Sequence, residues 1–207
     1  MNIEFDYNSP VILTYFIVST IALILGYITK DKTNKLLFCS KRSSFLNPLT
    51  YIRLFTHSIG HSGWDHYVNN FLYILLIGPM IEEKYGSINL LIMFLITSLV
   101  IAIFNDVVSN YEIRGASGNV FMLIVLSSFS NFQEGKIPIT LILICLFYVI
   151  TEVKKSIFDR KSHTYYMGHI LGAVCGIVFG FLMLYHPEIF EAIKTQLFWV
   201  FLFKLIC

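Results

Sequence analysis

Six stretches of apolar residues run along the chain, separated by short polar segments: Val11 to Ile28, Tyr67 to Ile81, Ile88 to Val108, Ser117 to Phe129, Ile137 to Ile150 and Tyr166 to Tyr185. Each is too long for an ordinary buried strand and reads as a helix with the length and polarity of a membrane span. Several fall short of the ~20 residues that cross ~30 Å of hydrocarbon, so they must be extended by flanking residues or sheltered inside a bundle. The pattern predicts an all-α membrane protein: a bundle of six transmembrane helices in one domain covering residues 1–207.

The polar connections differ in kind. Lys30 to Thr56 mixes charge, Asn47, Pro48 and aromatics, as an ordered loop at the membrane surface would, and Lys154 to Tyr165 is polar enough for a water-facing lid. After Pro187 the apolar tail is interrupted by Glu191, Lys194 and Lys204, which predicts an interfacial helix over 187–207 rather than a seventh span. The N-terminal ten residues hold Glu4 and Asp6 and no basic residue, so the first apolar run reads as a retained anchor.

Composition agrees with the pattern. Of 207 residues 56% are hydrophobic and 14% charged, the mean hydropathy is +0.70, and soluble domains carry roughly 25% charge. A net charge of +2 spread over several loops gives no nucleic-acid surface. Cys39, Cys145, Cys175 and Cys207 form no CxxC pair, so neither a disulfide framework nor a thiolate metal site is expected.

Candidate chemistry begins with the fourth run. From Ser117 to the polar break at Ser130 is 14 residues, about 21 Å of helix, which leaves Ser117 below one membrane surface. A hydroxyl at that depth must face protein or a water-filled cavity. It lies between Gly115 and Gly118, at a helix start where free N–H groups and the positive end of the helix dipole would favour a developing oxyanion. A simple N-cap is the alternative. A general base is available in His169, and Gly172, Gly176 and Gly180 follow it at spacings of three, seven and eleven, one bare stripe that lets another helix approach closely. Gly118 offers a matching bare spot, and Phe121 shares the face of Ser117 and can stack on the imidazole. His169 also suits a hydrogen-bonded interior role. His66 and Asn70, four residues apart on the second run, point the same way and can donate to an oxyanion or join helices as polar glue. His57, His61 and His66 cluster closely enough to raise a metal or haem site, but no carboxylate or cysteine at ligand spacing accompanies them.

Taken together, "RLFTHSIGHSGWDHYVNN", "GPMIEEKYGS", "GASG" and "GHILGAVCG", in this order, make the chain similar to the rhomboid family of intramembrane serine proteases over about Arg53 to Phe181. The resemblance implies a rhomboid-like core over about 53–186 and a serine endopeptidase that cleaves membrane-anchored proteins with a Ser-His dyad. Carried over, Ser117 is the nucleophile, His169 the base, and His66 and Asn70 the oxyanion donors. It implies transmembrane protein substrates as partners in the lipid bilayer, with no cofactor, no metal and no nucleic acid, in a multi-pass protein expected in the cell membrane. A catalytically silent rhomboid-like binding protein and a histidine-based metal or haem protein are the alternatives. Two positions depart from the family: the usual aromatic-basic pair reads Ile52-Arg53, and Phe121 stands where many members have tyrosine. The family arrangement puts both termini in the cytoplasm and 11 of the 15 basic residues on the outer side, whereas the positive-inside rule favours the opposite orientation.

Overall fold

A helix in lipid must satisfy its own end groups, and the first one does so with a partner far away in sequence. In the computed structural model, α1 (Pro10–Ile28) opens with Pro10 in its first turn, and the buried Glu82 carboxylate accepts the next two free N–H groups, Val11 at 2.9 Å and Ile12 at 3.0 Å. The structure describes residues 6–44, 46–109, 111–130, 132, 136, 138–143, 146–147, 150 and 163–206. Of the Ile137 to Ile150 run, residues 138–143, 146–147 and 150 are described and, Pro138 apart, are helical; the segment from Lys154 to Ser162, Cys145 and Cys207 lie outside the described residues.

The connection after α1 contains two short helices, α2 (Lys32–Leu37) and α3 (Pro48–Thr56). In α3 Pro48 occupies the first turn and Asn47 caps it, its side chain accepting from Leu49 N–H at 3.0 Å. This loop is tied down in several places: Arg53 Nε donates to Leu36 O at 2.8 Å, and Ser40 and Ile113 exchange both backbone hydrogen bonds, at 3.0 and 2.9 Å. Apart from that isolated pair and a bridge residue at Lys136, the described residues are helical or loop, with no strand.

Then come α4 (Trp64–Tyr85) and α5 (Ser87–Val108), joined through Gly86 alone. Its φ of +83° is a conformation that favours glycine, and it reverses the chain in one residue. The sixth helix, α6 (Ser117–Ser127), is 11 residues long, about 16 Å, shorter than the apolar run predicts. Its last turn tightens, with Ser128, Phe129 and Ser130 each donating three residues back. The Lys84 ammonium then donates to the carbonyls of Phe129, at 2.9 Å, and Ser130, the favoured charge at a helix C-terminus. Past helical residues at 139–143, 146–147 and 150 come α7 (His163–Tyr185) and α8 (Pro187–Ile206).

By length and composition Pro10–Ile28, Ser87–Val108 and Tyr166–Tyr185 are apolar enough to cross a membrane. The protein is an all-α integral membrane protein, and the six-span count is consistent with these helices together with α4, the short α6 and the helical residues within 139–150. At the centre sits α6, packed against α4, α5 and α7, with Val120, Met122, Leu123, Val125 and Leu126 all buried. Beside it an aromatic cluster holds α1, α4 and α5 together: the Tyr15 ring lies 5.4 Å from Phe71 and 5.3 Å from Phe94.

Candidate active site

The segment before α6 is held from three directions. Ile113 pairs with Ser40, the Arg114 guanidinium meets the Asp31 carboxylate at 2.6 Å, and Gly115 N–H donates to His57 O at 2.9 Å. His57 is itself fixed, because its Nε2–H donates to the Ser98 carbonyl on α5 at 3.0 Å. Gly115 adopts φ +130°, and a Cβ there would lie 2.5 Å from His66 Cε1, 2.7 Å from His66 Nε2 and 3.7 Å from Asn70 Nδ2. The two polar side chains of α4 therefore converge on the backbone immediately ahead of Ser117, and the glycine is what makes room for them.

Asn70 has an anchor that the sequence reading assigned no role of this kind. The Ile59 carbonyl can only accept, so His61, 3.0 Å away through Nδ1, carries its proton there. His61 Nε2 is then bare and accepts from the Asn70 amide at 3.1 Å. Burial, with His66 adding to it, pushes the His61 imidazole down to about 3, and burial pushes that of His57 down to about 4. Both are neutral at physiological pH, and His61 keeps the lone pair that orients Asn70. Ser62 Oγ lies 3.1 Å from His66 Nδ1, which leaves Nε2 on the side facing Gly115. The three histidines that could have shared a metal thus make separate hydrogen bonds, and among the described residues no group of three or more His, Cys, Asp or Glu is arranged to hold one.

The other half of the site is a backbone contact. A Cβ on Gly172 would fall 2.1 Å from Gly118 O, one on Gly176 2.6 Å from Met122 O, and one on Gly180 2.5 Å from the Phe129 ring. A Cβ on Gly118 would come within 3.4 Å of Gly168 O. His169 sits between Gly168 and Gly172 in the chain and Ser117 directly precedes Gly118, so the turns carrying the two residues lie side by side. The Phe121 and His169 rings are 4.5 Å apart at 44°, and Tyr166 approaches the same imidazole edge-on at 6.4 Å. A cavity of about 30 Å³ adjoins Ser117, lined by His57, Ser58, Ser98 and Asn119 among others. That is room for water, with polar partners on its wall.

Asn119, two residues beyond Ser117, also went unassigned in the sequence reading. Buried at 2% exposure, it donates through Nδ2 to Tyr15 Oη at 3.3 Å and Ser98 Oγ at 3.4 Å, while Tyr15 donates on to Ser58 O at 2.8 Å. An amide inside an otherwise apolar helix run was the available signal.

Comparison with known proteins adds two findings. The Rhomboid domain family model matches residues 48–186. The rhomboid protease GlpG of Haemophilus influenzae is 23% identical over 138 residues, which is 63% of this chain and 68% of that relative.

Proposed function

The chain belongs to the rhomboid family, and from that premise we propose that it is an intramembrane serine endopeptidase acting on transmembrane protein substrates. The observation that carries the reading is the convergence on one spot. His66 and Asn70 close over the Gly115 backbone while the Gly118–Gly172 contact sets the turn of Ser117 against that of His169. A nucleophile, a base and preplaced donors are the parts an acyl transfer requires.

In the proposed reaction an unwound substrate segment presents its carbonyl carbon to Ser117 Oγ. His169 takes the hydroxyl proton as the C–O bond forms, and the oxyanion is held by Ser117 N–H, His66 Nε2–H and Asn70 Nδ2–H. Protonated His169 gives its proton to the leaving amine as the C–N bond breaks. Water, for which the cavity beside Ser117 has room, then hydrolyses the acyl-enzyme with His169 again as base. Phe121 limits the freedom of the imidazole, and the His61–Asn70 bond does the same for the amide.

The deciding experiment is cleavage of a reporter transmembrane protein by purified protein in lipid nanodiscs, with Ser117→Ala and His169→Ala alongside. Cleavage lost in both variants supports the reading. A wild type that retains the reporter on affinity capture but never cleaves it makes the chain a silent binding protein instead.

A further inference from the structure

A polar cavity of about 360 Å³ opens where α1 ends, bounded by the last turns of that helix, by α2 and by the residues that lead into α4. Leu23, Gly26 and Tyr27 of α1 line it, followed by Lys30 and Asp31, and Ser62 and Arg114 complete the wall. Because α1 is apolar and long enough to span the membrane, the cavity begins at the depth where hydrocarbon gives way to headgroups. A pair of aromatic rings marks the same level. Tyr27 and Trp64 stack at 6.3 Å and 21° and both are exposed, as aromatic residues of the membrane–water interface are. One turn further into the span, Ile24 on α1 and Val68 on α4 are exposed as well.

The side chains in the cavity carry both signs. Lys30 and Asp31 adopt φ +51° and +67°, two consecutive left-handed residues that are not glycine, a costly conformation that persists only where its surroundings hold it. Asp31 N–H donates to Gly26 O at 2.7 Å, while Asn34 Nδ2 and Arg114 Nη1 both donate to Asp31 Oδ1, at 3.1 and 2.6 Å. The second carboxylate oxygen is used differently. Oδ2 has Lys35 Nζ at 3.9 Å, beyond hydrogen-bond range, and the Asp31 side chain is 35% exposed. Lys30 is exposed, and among the described residues its ammonium meets no carboxylate. Arg114 adds positive charge to the same wall. The cavity therefore offers cations to an anion and, beside them, one accessible carboxylate oxygen with room for a donor. A purely anionic headgroup suits the cations and is repelled by Asp31. Phosphocholine has both charges, but its methylated ammonium carries no N–H for Oδ2. Phosphoethanolamine has both charges and the donor.

We propose that this cavity holds the headgroup of a phosphatidylethanolamine, its phosphate between Lys30 and Arg114, its ammonium donating to Asp31 Oδ2 and its acyl chains lying over Ile24 and Val68. Binding requires neither Ser117 nor cleavage. His61, whose Nε2 accepts from Asn70, also lines the cavity, so the headgroup lies against the residue that orients that amide.

The test places the full chain in nanodiscs of equal parts phosphatidylethanolamine, phosphatidylglycerol and phosphatidylcholine and counts the lipids retained after ejection in a native mass spectrometer. Phosphatidylethanolamine is expected to be retained about fivefold over each of the others, the worth of one partly exposed ion pair. Asp31→Asn should erase that preference, and Lys30→Gln should lower retention of phosphatidylethanolamine about fivefold. Glycerophosphoethanolamine, the same headgroup without acyl chains, should leave the lipid in place at micromolar concentration, since the bilayer holds the lipid at far higher effective concentration. Displacement at that level would make the cavity a site for a soluble ligand and overturn the proposal. Equal retention of the three lipids overturns it too, as does a preference that survives both substitutions and so resides elsewhere on the bundle. If Asp31→Asn fails to fold, the wild-type selectivity and Lys30→Gln decide the matter.

Discussion

Two seams in this bundle are built on opposite rules. Along the α6–α7 seam glycines stand where the two backbones come closest, Gly172 against Gly118 O and Gly176 against Met122 O. Between α1 and α5 large side chains stand on both sides, and the helices are held far enough apart to leave about 490 Å³ between them. Lipid is as apolar as leucine, so it drives neither contact by hydrophobicity. Close approach needs the side chains to be absent, and the seam where that happens is the one that carries Ser117 and His169. The looser seam shows what the same lipid environment tolerates where no atom has to meet another at bonding distance.

Several measurements sharpen that contrast. The largest effect is chemical: Ser117→Ala should lower reporter cleavage on the order of a millionfold while leaving the melting temperature unchanged, which separates the reaction at the tight seam from its packing. Next, Asn70→Ala removes one of the converging donors and should slow turnover a few hundredfold, the ~2.7–4 kcal/mol that an oxyanion donor supplies. Turnover equal to wild type would remove Asn70 from the proposed site.

Packing effects come below those. Gly172→Ala places a methyl 2.1 Å from Gly118 O, where backbone must give way. Unfolding in detergent should then occur with about 1–3 kcal/mol less stability, even though alanine is the better helix former. By contrast Val18→Leu, a comparable enlargement on the loose seam, should change stability within about 0.5 kcal/mol. Equal losses at the two positions would abolish the distinction between the seams.

A pH titration tests the histidines that brace the tight side. His57 and His61 have folded-state values of about 4 and about 3, below the ordinary value near 6.5, because both are buried. The unfolded chain therefore binds protons first. Their contribution to stability is complete above pH ~6.5 and is lost as pH falls from there toward the folded values, at about 1.4 kcal/mol per pH unit for each group. His61→Gln should flatten the acid limb of the melting curve. A small effect is also expected at the loop surface. Asp31 is partly buried, which by itself would raise its pKa, but the hydrogen bonds from Arg114 and Asn34 and the charges of Arg114 and Lys35 together outweigh this and hold it low. Asp31→Asn should remove no more than about 1 kcal/mol, as exposed pairs do, and high salt should hide the difference.

The share of this architecture that could be read in advance follows the range of each interaction. The apolar runs marked the helices because the 3.6-residue repeat and the demands of lipid act locally. The ends moved where distant groups intervened: Glu82 caps α1 across 70 residues, and the Lys84 side chain donates to the carbonyls of Phe129 and Ser130 in the turn that follows α6. The glycine stripe of α7 announced a close neighbour, since its spacing places it on one face. Which neighbour, and at what register, depended on Gly118 O fitting under Gly172.

The amino-acid sequence alone determined the membrane class, the order of the helices, the family motifs and the residue types available for catalysis, because those depend on composition and on spacing within single helices. Only the tertiary structure decided that His61 orients Asn70, that Asn119 links the turn after Ser117 to α1, and that α1 and α5 part around a cavity. Each of these joins groups on different elements at hydrogen-bond or van der Waals distance, and at that distance an interaction depends on how whole helices pack, which no local pattern encodes.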